Sequence, residues 1–260
     1  MAWHKGFHGW FTAGKNSFYR LLCREKIHWR KLLLGVGKGF LRIVREQGGE
    51  GAGSPRCFIL DDTTFEKTGM HLEGISRVFD HVKHCCVLGY KCLILVFFDG
   101  KSSIPVDFSL HAEAGSKGTY GLSAKERSAC FSKSRADGSP AKLRKSELGK
   151  SKTDVSIEMF KRAWKQGFRA SCVLMDSWFT CKEMISEIRR TGKGCLDCVG
   201  LVKAGNTRYK VDGRMLAAQE IILRRERRQQ KFCRKYKCAY ITVNTFLGTT
   251  PVRLFLIRYG

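Results

Sequence analysis

The sequence predicts an α/β protein: a mixed sheet flanked by helices, with a β-rich region at its C-terminal end. Three observations carry this. Apolar residues between 18 and 44 recur every three or four positions, the period of a helix with one buried face. Short apolar runs of strand length, such as 57–60, 92–98 and 170–175, are bounded by turn-forming residues. Between 151 and 192 a helix, a short strand and a second helix follow one another, as in a layered sheet-and-helix core.

The elements follow in order. Residues 1–50 read as a basic helical segment. Asn16 or Ser17 is placed to cap a helix carrying Phe18, Leu21 and Leu22. A second helix carries Trp29, Leu32, Leu33, Val36, Phe40, Leu41 and Val44, weakened in its middle by Gly35, Gly37 and Gly39. Either an ordinary packing layer or a DNA contact explains this pair. Residues 48–55 form a Gly-rich linker. Residues 51–194 read as the core. Its strands are expected at 57–60, 75–81, 85–98 (broken at Gly89) and 103–110, with Asp99-Gly100 as a hairpin turn. Residues 117–152 hold ten Lys or Arg against three Asp or Glu, and read as a basic loop or disordered arm. Ser151 with Asp154, and Thr180 with Glu183, are capping-box pairs for helices that stop near Gly167 and Gly192. Residues 195–260 form the β-rich region, with strands at 199–202, 209–211, 238–243 and 252–257.

Composition narrows the function. Of 260 residues 48 are basic and 23 acidic, a net charge of +25. Such an excess repels itself unless a polyanion neutralises it, and nucleic acid is the commonest such partner. The candidate DNA contacts are Lys142, Arg144, Lys145, Lys150 and Lys152 in the first basic stretch and Arg224, Arg225, Arg227 and Arg228 in the second. A membrane surface is the alternative, read by residues 29–47 as a basic amphipathic helix. No apolar run reaches the ~20 residues that span a bilayer. No continuous apolar run follows Met1-Ala2-Trp3-His4-Lys5, so a secretory leader is not expected. That implies a reducing, cytoplasmic setting, in which the twelve cysteines stay free thiols. Scattered core cysteines compete there with a zinc site built from Cys195, Cys198, Cys233 and Cys238.

The chemistry centres on Asp61. An apolar run ends there in two adjacent carboxylates, Asp61 and Asp62; taken alone, a strand that simply ends at a solvated turn is the simpler reading. Asp176 repeats the pattern after residues 170–175. Two carboxylates brought together repel unless a cation lies between them, and hard ions such as Mg²⁺ take oxygen ligands. An ion held there suits phosphodiester displacement.

The stretches Ile59-Leu60-Asp61-Asp62-Thr63-Thr64-Phe65-Glu66-Lys67, Arg77-Val78-Phe79-Asp80-His81, Ile104-Pro105-Val106-Asp107-Phe108, Ala141-Lys142-Leu143-Arg144-Lys145 and Val173-Leu174-Met175-Asp176-Ser177-Trp178-Phe179 resemble those of DDE transposases of bacterial insertion sequences. The resemblance runs from about Phe18 onward. It implies a ribonuclease H-like core interrupted by a β-rich insertion. It also implies Mg²⁺ or Mn²⁺ at Asp61 and Asp176, with Asp62 as the alternative to Asp61. The implied partner is double-stranded DNA, at transposon ends and target, with self-association on it. The family's third acid, a Glu in a Tyr-Arg-Glu-Lys type signature, has no counterpart. Glu220 and Glu226 are the late acids, and local ion pairing accounts for both. The expectation is therefore a truncated, inactive transposase lacking material at both ends. The alternatives are a non-catalytic DNA-binding remnant and a zinc-ribbon-like nucleic-acid binder.

Overall fold

The structure, a computed structural model, describes residues 14–48, 54–113, 120–202, 205, 207–224 and 230–259. Eleven strands are described: β1 (Cys57–Glu66), β2 (Ser76–Asp80), β3 (Cys85–Phe98), β4 (Ser103–His111), β5 (Cys172–Met175), β6 (Asp197–Gly200), β7 (Arg208–Val211), β8 (Arg214–Ala217), β9 (Lys231–Cys233), β10 (Cys238–Leu247) and β11 (Thr250–Tyr259). The described helices are α1 (Lys15–Leu22), α2 (Trp29–Glu46), α3 (Ala124–Ala129), α4 (Pro140–Glu147), α5 (Lys152–Lys165), α6 (Lys182–Thr191) and α7 (Ala218–Arg224). The main sheet runs β2-β3-β1-β5-β6, with β4 also on β3. It is mixed: β1–β5 and β5–β6 are parallel, and β2–β3 is antiparallel. The α/β expectation of a mixed sheet flanked by helices therefore holds.

The chain divides into two compact units. The described residues of the first lie within 14–33, 63–92 and 109–150. It has a small core of Ile75, Tyr90 and Leu122, with Met70, Leu88, Leu110 and Leu148 against it. The basic stretch expected to be an unstructured arm is folded here over its described part. α3 opens with a reciprocal capping box between Ser123 and Glu126, and α4 starts from Ser139 with Pro140 in its first turn. Acids then gather the cations. Buried Glu147 takes a bidentate contact from Arg30, 2.6 Å from Nη1, and a 3.0 Å bond from Ser109 Oγ. Glu73 takes Arg135, Lys145 and the Lys133 amide. Composition showed the cations but not these long-range acids.

The described residues of the second unit lie within 34–62, 93–108 and 151–259. Its larger core joins Phe58, Leu60, Leu93, Leu95, Val173 and Met175 of the sheet to Val155, Met159, Phe160 and Ala163 of α5 and Met184 and Ile188 of α6. Each of these buried side chains other than Ala163 contributes about 1.5–3 kcal/mol. Phe58 lies edge-on to Phe97 and Phe160, with ring centroids at 5.5 and 5.3 Å. α2 continues through its glycines, because Gly37 meets the core directly. A Cβ there would lie 3.2 Å from Ile104 Cγ2 and 3.4 Å from Phe168 Cζ, so a side chain would push the helix off its seat. β6 pairs with β5, so the main sheet extends past residue 195. The β-rich region then makes its own sheet, β11-β10-β9, and the hairpin β7-β8. Tyr209, Val211, Leu216, Ile221, Ile241, Val243, Leu254 and Leu256 form their core.

Several local expectations differ in the structure. Gly14, not Asn16 or Ser17, precedes α1. Ser151 and Cys181 stand at the caps of α5 and α6 without a side-chain capping bond, so neither expected box forms. Thr180 Oγ1 instead donates to the Asp176 carbonyl at 2.7 Å. β3 runs unbroken through Gly89.

Candidate active site

β1 and β5 are direct parallel neighbours, paired Cys57↔Cys172, Phe58↔Val173, Ile59↔Leu174 and Leu60↔Met175. Asp61 and Asp176 each lie one residue beyond the last pair. Neighbouring strands are about 4.8 Å apart, so both carboxylates stand at the same end of the ladder, Asp61 within β1 and Asp176 just past β5. The two acids read from the sequence as one pair are thus brought together by topology.

Alternation separates Asp61 from Asp62. Side chains at i and i+2 share a face, so Asp61 belongs with Cys57 and Ile59, and Asp62 with core residues Phe58 and Leu60. Asp62 Oδ2 is 2.5 Å from Lys152 Nζ, and both side chains are about four-fifths covered. Lys152 also lies over the exposed indole of Trp178, 4.8 Å from its centroid. Lys152 opens α5 and Trp178 follows β5, so the lysine ties three elements together through Asp62. Sequence reading placed Lys152 among the DNA contacts; its charge is here committed to Asp62. The signal that it would meet Asp62 lies 90 positions away, beyond any local motif.

The two exposed acids are oriented differently. Asp61 Oδ1 accepts the Asp62 amide at 2.8 Å. Asp176 Oδ1 accepts the amides of Trp178 at 3.0 Å and Phe179 at 3.3 Å, an Asx-type turn that fixes the carboxylate at the strand end. Among the described residues no side-chain cation pairs with either acid. Their donors are all oxygen, which suits a divalent ion such as Mg²⁺, commonly held by one or two carboxylates together with water and substrate phosphate. A third acid does not join them: among the described residues no group of three His, Cys, Asp or Glu side chains assembles into a metal-holding cluster.

That finding also removes the zinc-site expectation. Cys198 lies on β6 of the main sheet, whereas Cys233 and Cys238 face each other across β9 and β10. Cys195 is exposed, and the four thiols do not gather.

The remaining candidate cations divide. Lys142 pairs with Asp137, Lys145 with Glu73, and Arg144 is half-buried near Arg30 and Glu147; burial, then the Arg30 charge, lowers its guanidinium pKa. Lys150 and Arg224 are exposed. Arg225, Arg227 and Arg228, like Glu226, lie outside the described residues. Glu220 accepts from Arg208 and from the Ala217 amide, each at 2.6 Å, which is the expected local pairing.

Against known proteins, a family model described as DDE superfamily endonuclease matches residues 17–235. The chain belongs to this family, one of transposase-like nucleases that act on DNA with divalent metal ions. No curated protein matches the chain. No described helix is long and apolar enough to cross a membrane.

Proposed function

We propose that the chain is a DDE transposase of an insertion sequence, built on a ribonuclease H-like core. Asp61 and Asp176 are its two metal-binding acids, for Mg²⁺ or Mn²⁺, and transposon-end DNA is its substrate. The observation that carries this is the β1–β5 ladder, which ends in both acids at once. A divalent ion bound there would activate water and neutralise charge on the scissile phosphate. The chain's own residues do the rest. The Trp178 and Phe179 amides hold the Asp176 carboxylate in place. The Asp62 amide does the same for Asp61. Lys152 keeps Asp62 neutralised and out of the pair. Lys150, Arg224 and their basic neighbours supply phosphate contacts without reading sequence.

With only two acids brought together among the described residues, the 260-residue chain alone is expected not to cleave. A non-catalytic DNA-binding role is the second reading, and the absence of a third acid among the described residues favours it. Mn²⁺ binding, followed by electron paramagnetic resonance, tests the ligands. Asp61→Asn and Asp176→Asn should each weaken binding at least tenfold, and Asp62→Asn should change it little. Equal losses at Asp61 and Asp62 would overturn the assignment. Nicking of element-end DNA by the purified chain with Mg²⁺, abolished by Asp176→Ala, would overturn the predicted inactivity and exclude the second reading.

A further inference from the structure

The face of β1 and β5 that leads to the two acids begins with two thiols. Cys57 and Cys172 are the first pair of the ladder. By the same alternation Cys57, Ile59 and Asp61 share one face of β1, as Cys172 and Leu174 share one face of β5. Paired residues on neighbouring strands stand about 4.8 Å apart, inside the roughly 4.4–6.8 Å that a disulfide spans between α-carbons. Both side chains leave the sheet in the same direction. Cys57 is 6 % exposed and Cys172 half-buried, so only the second is open to a small reagent. Cys198, on β6, is paired with Val173 and therefore belongs to the opposite face.

We propose that Cys57 and Cys172 form a dithiol site that a hydroperoxide oxidises to a disulfide, cross-linking the two acid-bearing strands. The Cys172 sulfur attacks the peroxide; an S–O bond forms, the O–O bond breaks, and the departing oxygen takes the Cys172 proton. The Cys57 sulfur then attacks the resulting sulfenic acid. The S–S bond forms, the S–O bond breaks, and hydroxide leaves with the Cys57 proton as water. Two thiols lose two electrons, and the hydroperoxide becomes an alcohol and water, or two waters from hydrogen peroxide. The order of events matches the surroundings. Burial, then the neighbouring Cys172, raises the Cys57 thiol pKa, which keeps Cys57 protonated and suits it to the second step.

The test uses the full chain, treated with hydrogen peroxide, quenched, then unfolded, alkylated and digested with trypsin. The expected product joins peptide 57–67 to peptide 170–182 with the loss of two hydrogens. Fragmentation must place the link at Cys172, since Cys181 shares that peptide. In Cys57→Ser, dimedone should trap a sulfenic acid at Cys172 in place of the link. Unfolding the chain in urea before oxidation should erase the preference for this pair. If Cys57 remains alkylatable while Cys172 is oxidised, or if either sulfur links to a different cysteine, the proposal is wrong. The wild-type result alone decides this, whether or not the variant folds.

Discussion

At the scale of single residues, a carboxylate's neighbours set its role. Asp62, Glu147, Asp107 and Glu73 each meet a cation, and Asp61 and Asp176 are held by amides. Asp107 is fully buried and accepts from Arg162 Nε at 2.9 Å. Arg162→Met would leave a buried carboxylate without that partner, and should cost about 3 kcal/mol by urea denaturation. Glu73 offers a pH-dependent test. Burial raises its pKa, but Arg135, Lys145 and the Lys133 amide outweigh burial and lower it from the usual 4.5 to about 2. A lowered folded-state pKa stabilises the fold above pH 4.5, and this contribution fades as pH falls from there towards 2. The unfolding midpoint should therefore drop over that range, and Glu73→Gln should flatten the slope. None of these pairings was legible in the sequence, because the partners are far apart along the chain: Arg30 and Glu147 are 117 positions apart. Asp61 and Asp176 were legible because each follows an apolar run, a local signal.

At the scale of elements, periodicity found most strands and helices, and misread the places where backbone meets backbone. Gly89 looked like a break in β3. It is instead a close approach: a Cβ there would lie 2.1 Å from the Phe65 carbonyl oxygen. Gly89→Ala must displace β1 or β3, and should cost about 1–3 kcal/mol, readable as a lowered melting temperature. β7 was expected at 209–211 but β8 was not, although Asp212-Gly213 between them carries the usual turn pair, both at positive φ. The capping box that does form, between Ser123 and Glu126, lay inside the stretch read as a loop or disordered arm. Ser123→Ala should cost about 1 kcal/mol by the same denaturation measurement.

At the scale of the whole chain, some of the 48 basic side chains are engaged by the chain's own acids, as Lys142, Lys145, Lys152 and Arg30 are, while the net excess of +25 is left over. What remains should still bind duplex DNA through phosphates. Affinity should fall at least about a hundredfold between 50 and 200 mM salt, with little dependence on sequence; fluorescence anisotropy on two unrelated duplexes checks both points. A flat response would remove DNA binding by charge. Composition made the partner legible, but which cations are available to it depends on the fold.

The parallel pairing of β1 and β5 also sets a clock. Asp61 and Asp176 are 115 positions apart in the chain. Synthesis at about 5–20 residues per second delivers the second acid on the order of 6–23 s after the first. Contacts of such long separation also form slowly once both strands exist. During translation Asp61 thus waits without its partner, and the pair of acids comes into being only after residue 176 has been made.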